Sequence, residues 1–247
     1  LHVTPHPLLG LAVAIAAAAL LAVAIGALCV RSTEVYFSML TLAFGMMVFA
    51  LVWNAREVTG GDDGLIGIAR APVTLGPLRF AIAQQQRFYF VVLLAFALAV
   101  AVAHRLHASP FGLALLGVRE NATRAEFAGI SVRRHRLAAF VLSAAFAGLA
   151  GGLEALLESN ARPFMAHWTH SSEPVLVTLL GGIGTLAGPL VGSLLFIAIR
   201  EVVQRFTEQW MLAMGVVLLV IIAAFRGGVV GTVRQLLSRR AATGGSP

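Results

Sequence analysis

Lysine is absent from this chain of 247 residues, and all 18 basic side chains are arginine. A nucleotide-cradling P-loop, which needs a lysine behind its glycines, is excluded with it. Cysteine is nearly absent. Cys29 is the single example, so there is no disulfide framework. It lies in an apolar run, where a small buried hydrophobe is the natural reading rather than a reactive thiol. Charge of either sign is scarce: charged residues make up 12% of the chain, against about 25% in soluble domains. The hydrophobic fraction is 59% and the mean hydropathy is +0.88. These values exclude a disordered chain, which needs low hydrophobicity and high net charge. They point instead to lipid.

Enzyme signatures are missing too. There is no GxSxG, no HExxH and no paired acidic motif within a span, and Ser143 has no evident base. The net charge is +7, but the arginines lie between long uncharged runs rather than on one basic face. Nucleic acid is therefore not an expected partner. Basic loops between apolar spans are the pattern of a membrane protein.

Six uncharged runs are present, at 8–30, 35–53, 88–103, 137–153, 175–199 and 210–225. A membrane-crossing helix needs roughly 17–25 mostly apolar residues, and the shorter runs gain length from interfacial Tyr, Trp, His and Arg. The first run lacks the basic n-region and the cleavage site of a signal peptide. Segment 104–136 holds Arg105, Arg119, Arg124, Arg133, Arg134 and Arg136 against Glu120 and Glu126. The tail holds Arg226, Arg234, Arg239 and Arg240 and no acid, so both segments are expected in the cytoplasm. Segment 54–87, with its near-balance of charge, fits the outside.

Three full crossings after the inner loop would leave the basic tail outside. The conflict resolves if the fifth run does not cross. Its middle reads GGIGTLAGP at 181–189, and clustered Gly with Pro breaks helices. A half-helix at 174–180, a turn at 181–189 and a return helix from 190 to about 204 would restore parity. Irregular backbone at membrane depth is tolerated where protein or water covers it, often beside a substrate path. The alternative is one long helix with a small-residue packing face. The expected fold is thus an all-α integral membrane protein with about five to six transmembrane helices. A re-entrant or broken Gly-rich segment and a short cytoplasmic helix complete it. Residues 1–240 are expected to form one transmembrane domain, and 241–247 a flexible tail.

The short helix comes from RENATRAEFAGI at 119–130. Thr123-x-x-Glu126 has capping-box spacing, and Gly129 stands where a helix is closed by a left-handed residue. Phe127 and Ile130 are its apolar anchors; a docking helix and a plain connector are both open readings. Small residues recur at four-residue spacing, Ala144, Gly148, Gly152 and Gly184, Gly188, Gly192, as in close helix seams. Asp62 and Asp63, within TGGDDGL, fit a turn on the outer face and lack the further oxygens of a Ca²⁺ loop. The pairs His104/His107 and His167/His170 have no third ligand nearby, so no metal is expected. Glu154, near the outer end of its helix, is either a functional carboxylate or a local partner of Arg162. No span carries a mid-membrane ionisable group. That argues against a proton-coupled carrier and for a passive channel or a pathway powered by another subunit.

Five blocks carry a family resemblance: YFSMLTLAFGMMVF (36–49), TGGDDGL (59–65), FGLALLGVRENATRAEFAGISVRRHRLAAFVLSAAFAGLAGGLEAL (111–156), LLGGIGTLAGPLVG (179–192) and FRGGVVG (225–231). In order and spacing they resemble the branched-chain amino-acid ABC-transporter permeases of the LivM type. The resemblance implies a non-enzymatic, cofactor-free subunit of a bacterial inner-membrane importer. It implies as partners a second permease, two ABC ATP-binding subunits and a periplasmic substrate-binding protein. The family's ATPase-coupling loop falls on Arg119, Glu120, Asn121, Thr123, Arg124, Glu126, Phe127 and Gly129. Gly181, Gly182, Gly184, Gly188 and Glu154 are candidates for the translocation path. Glu154 stands where the family often has an aromatic residue. Family members carry further spans ahead of the region where this sequence begins, so it is expected to be N-terminally incomplete. A stand-alone channel or secondary carrier for a small polar solute is the rival reading.

Overall fold

The computed structural model describes residues 7–32, 34–68, 73–75, 78–80, 84–185, 187–206, 209, 212–216, 218, 219, 228, 230 and 231. The helices are α1 (Pro7–Cys29), α2 (Glu34–Asn54), α3 (Arg56–Thr59), α4 (Gln85–His107), α5 (Pro110–Glu120), α6 (Ala122–Phe127), α7 (Val132–Glu158), α8 (Trp168–Gly181) and α9 (Gly188–Phe206). Four short strands accompany them: β1 (Leu65–Ile66), β2 (Val73–Leu75), β3 (Leu78–Phe80) and β4 (Asn160–Ala161). The protein is an all-α membrane protein with almost no sheet.

Among the described residues, four helices are long and apolar enough to cross a membrane: Pro7–Cys29, Val35–Asn54, Gln86–His107 and Val132–Glu158. They correspond to the first four uncharged runs. At 1.5 Å per residue each matches the roughly 30 Å hydrocarbon core. Hardly any of their residues are fully buried by the rest of the chain. Leu20, Leu94 and Leu98 stand 71%, 62% and 58% exposed. Lipid is the solvent that such surfaces require. The sixth run falls largely outside the described residues, as do the basic tail from Arg226 and residues 241–247.

The chain divides into two compact units, Leu1–Trp168 and Thr169–Pro247. In the first, α1 and α7 form the main helix pair. Glycine makes that approach possible. A Cβ at Gly148 would lie 2.8 Å from Ala18 Cβ and 2.9 Å from the Ala14 carbonyl oxygen. A Cβ at Gly152 would lie 2.8 Å from Leu11 Cδ1. From the other side, Gly26 leaves room for Leu137 and Phe140, and Phe37 of α2 meets Phe140 edge-on at 5.9 Å. The helices therefore run antiparallel, with the end of α1 beside the start of α7. Phe111 stacks on His135 at 5.7 Å, which brings the α4–α5 corner to that same end. At the opposite end Phe88, early in α4, packs against Leu156, late in α7.

That opposite end also carries the strands. β1 pairs antiparallel with β4, Leu65 facing Ala161 and Ile66 facing Asn160. Asn160 Nδ2 donates to the Asp63 carbonyl at 3.1 Å. Gly64 takes φ of 72°, and a Cβ there would sit 2.8 Å from Arg162 Cα. Asp62 and Asp63 are thus exposed members of a 3-10 turn, Gly61–Asp63, locked to the chain leaving α7. β2 and β3 pair antiparallel, with Leu75 facing Leu78.

In the second unit the fifth run is broken where glycine and proline cluster. α8 ends at Gly181 and α9 starts at Gly188. α8 begins upstream of the expected start, at Trp168, so Pro174 lies inside it. The hydroxyls of Ser172 and Thr178 bond to the carbonyls of Thr169 (2.6 Å) and Val175 (2.8 Å) on either side. Leu180, Phe196, Met214 and Leu218 form the core of this unit.

Candidate functional site

The end of the first unit where α1 finishes and α7 begins carries a two-helix elbow. Ser109 caps α5: its hydroxyl accepts from the Gly112 amide at 3.3 Å, with Pro110 in the first turn. The sequence predicts a loop over 104–118, and the structure forms a helix from Pro110 instead. Arg119 and Glu120 accordingly belong to the last turn of α5, not to the short helix after it.

That short helix, α6, is closed at both ends. Its N-cap is Asn121, whose Oδ1 accepts from the Arg124 amide at 2.9 Å. The expected capping residue, Thr123, is already inside the first turn. Asn121 holds the extended conformation (φ −158°, ψ 101°) that an N-cap needs, because the chain leaves α5 there. At the other end Gly129 takes φ of 83° and donates to the Glu126 carbonyl at 2.9 Å. The Ile130 amide reaches back to the Ala125 carbonyl at 3.0 Å. These two bonds are a Schellman closure.

One face of α6 is fixed to its own chain. Val118, Ala125 and Val132 are buried together, with Ala122 and Ile130 packed against them. The other face is open. Phe127 is 89% exposed, and Asn121, Thr123, Arg124 and Glu126 are exposed with it. Arg124 and Phe127, three apart, share a side of the helix. Ile130 therefore serves as an internal anchor, while Phe127 points an aromatic ring away from the protein.

The glycine break has its own geometry. A Cβ at Gly192 would meet the Val177 carbonyl and come within 3.0 Å of the Gly181 amide nitrogen. A Cβ at Gly181 would meet the Gly188 carbonyl, and one at Gly188 the Gly182 carbonyl. The backbones of α8 and α9 touch here, and no side chain fits between them. Gly184 differs: nothing lies within 4 Å of its Cβ position, so the packed set is Gly181, Gly188 and Gly192 rather than the four-residue series. Gly182 takes φ of 117°, and Gly228 lies directly against Gly181 and Gly182. Farther along, Arg200 Nη1 meets Glu173 Oε1 at 3.4 Å.

Glu154 is half-buried near the C-terminal end of α7. Arg162 takes Glu158 as its ion-pair partner at 3.4 Å, both side chains exposed. Of the two readings of Glu154, the local pair with Arg162 is not formed, because the chain turns out of α7 at Ser159 (φ 55°) and brings Arg162 to Glu158. An aromatic cluster that the sequence did not suggest lies at the same end. His167 is met edge-on by Phe49 at 4.9 Å and stacked by Phe164 at 5.7 Å. Among the described residues no three of His, Cys, Asp and Glu come together as a metal site.

Comparison with known proteins decides the family. The family described as "Branched-chain amino acid transport system / permease component" matches residues 1–225. The chain belongs to this family. The permease is 31% identical over 201 residues to the "High-affinity branched-chain amino acid transport system permease protein LivM" of Escherichia coli, covering 73% of this chain and 47% of that one. The corresponding protein of Salmonella typhimurium is 30% identical over the same shares. A "Probable branched-chain amino acid transport permease protein LivM" of Methanocaldococcus jannaschii is 25% identical over 87% of this chain and 63% of that one. The permease thus spans about half the length of the bacterial relatives it matches. No solved structure matches it significantly. Family and structure together make it a multi-pass membrane protein of a transport-permease family. The matched region takes in both the capped elbow and the glycine break.

Proposed function

We propose that the chain is a permease subunit of a bacterial ABC importer for branched-chain or related amino acids in the inner membrane. Substrate movement is driven by ATP hydrolysis in two partner subunits. A second permease completes the pathway, and a periplasmic binding protein delivers substrate at the end that carries Asp62, Asp63 and β1–β4. The permease itself performs no bond chemistry. The observation that carries this reading is α6: a six-residue helix, capped at both ends, with Phe127 turned outward. So short a helix is marginal alone. Holding it rigid through Ala125 while exposing an aromatic ring suits a lever that fits a groove on an ATPase. A channel or carrier working alone has no use for such a lever.

In this scheme closure of the two ATPases displaces α6 as a rigid body, and α5 and α7, packed on it, pass the displacement to the spans. The paired backbones at Gly181, Gly188 and Gly192 are the proposed neighbours of the translocation path. The deciding experiment is co-expression of the permease with its neighbouring ATP-binding, permease and binding-protein genes. Phe127→Ala is expected to leave membrane insertion intact and to release the ATP-binding subunits on purification. Retention of those subunits, with normal substrate-stimulated ATPase activity, would overturn the proposal.

A further inference from the structure

One end of the first unit gathers more positive than negative charge: Arg31, Arg105, Arg119, Arg124, Arg133, Arg134 and Arg136 stand there against Glu34, Glu120 and Glu126. Gly26 lies on Leu137 and Phe140, so Arg31, just past the end of α1, comes level with the first turn of α7. That turn carries Arg133, Arg134 and Arg136 and no acid. The stack of Phe111 on His135 brings the end of α4, with Arg105, to the same turn. Arg31, Arg105, Arg133 and Arg134 are exposed, and Arg136 is half-buried. Among the described residues, carboxylates pair with Arg162, Arg200 and Arg205, and none pairs with these five. The positive end of the α7 dipole adds to them. Arginines gathered beside a helix N-terminus make this a favourable place for an anion.

Beside Arg105 is a shallow cleft lined by Val102, His104, Leu106, Ala108 and Ser109. It continues an exposed aliphatic stripe on α4, where Leu94, Leu98 and Val102 are 62%, 58% and 49% exposed at four-residue spacing. The charges thus sit where the apolar spans end, at headgroup depth, with hydrocarbon surface leading away from them.

We propose that this basic rim, at Arg31, Arg105, Arg133, Arg134 and Arg136, is a binding site for anionic phospholipid. The phosphate lies among the arginines, and an acyl chain follows the Leu94–Leu98–Val102 stripe. Guanidinium forks match phosphate oxygens two at a time. The excess of arginine where the apolar spans end and the adjoining aliphatic stripe favour a lipid, whose headgroup and acyl chain would meet both at once. The proposal rests on the membrane-spanning character of the helices and not on the importer reading.

The test titrates the full chain in detergent with phosphatidylglycerol and with phosphatidylcholine, counting retained lipid by native mass spectrometry. Phosphatidylglycerol is expected to be retained preferentially. Combined Arg105→Gln, Arg133→Gln and Arg134→Gln is expected to lower that retention about fivefold per arginine, roughly a hundredfold in all. The matching Arg→Lys variant keeps the charge and is expected to keep the preference. Equal retention of the two lipids by the unaltered chain overturns the proposal, whatever the variants do. So does an undiminished preference in the Gln variant. Displacement of phosphatidylglycerol by an equal concentration of inorganic phosphate overturns a lipid occupant in favour of a free anion. Loss of ATP-binding subunits from the Gln variant, with lipid preference unchanged, makes the rim a protein-docking surface and overturns it as well.

Discussion

Asn121 holds the backbone amide of Arg124 at 2.9 Å from its side-chain oxygen. The main chain of Arg124 is thereby tied into the first turn of α6, while its guanidinium stays exposed on the side that Phe127 occupies. The residue proposed to meet a partner is oriented by its neighbour three positions earlier. Asn121→Ala removes an N-cap and is expected to destabilise α6 by about 1 kcal/mol. Substrate-stimulated ATPase activity of the assembled complex should fall, and Asn121→Asp should restore it. Thr123→Ala should leave activity near normal, because the Thr123 side chain does not cap the helix.

The other end of α6 depends on backbone conformation. A β-branched side chain at φ of 83° is strained by about 1–3 kcal/mol. Gly129→Val is therefore expected to open the C-terminal turn and lower stimulated ATPase activity with insertion unchanged. Arg124→Glu should lower it as well, by reversing a charge without touching the helix. Nothing surrounds the Gly129 Cβ position, so the effect of Gly129→Val is conformational, not steric. Gly129→Asn, which tolerates the left-handed region, should be milder.

At the glycine break the prediction is steric. Gly192→Val places atoms against the Val177 carbonyl and is expected to cost about 1–3 kcal/mol or more by overpacking. A lowered unfolding temperature in detergent and lost transport would report it. Gly184→Ala, in the same block but with open space around it, should be close to neutral on both measures.

A further pair of variants examines sidedness. In a Cys29→Ala background, Asp62→Cys should react with an impermeant thiol reagent added outside intact cells. Ser131→Cys should react only after the membrane is opened. Reversed reactivity would invert the proposed orientation.

The spans were legible because lipid imposes a simple rule. A helix in hydrocarbon needs an unbroken apolar run, and the runs at 8–30, 35–53, 88–103 and 137–153 return as helices with ends shifted by a few residues. The break at 181–189 was legible for the converse reason, since glycine and proline cannot continue a helix cheaply. What escaped was decided by neighbours. Asn121 and Thr123 both suit a cap, and the choice fell to Asn121 because α5 runs on to Glu120 and leaves the turn at that point. Which glycines touch depends on the angle at which α8 meets α9, so Gly181 takes the place that spacing assigned to Gly184. The β1–β4 pairing joins segments almost a hundred residues apart through two residues each, too few to leave a periodic signal.

The seam of α1 with α7 bears on how the protein is made. Ala18 and Gly148 meet only when more than a hundred intervening residues have been synthesised. At roughly 5–20 residues per second, α1 waits on the order of ten seconds in the bilayer before its partner emerges. During that interval the notch at Gly26 and the small-residue face around Ala14 and Ala18 lie open to lipid or to the insertion machinery. Docking of α7 on α1 is therefore a long-range event that follows the insertion of α1, and substitutions at Gly148 should show first as degraded nascent chains rather than as slow transport.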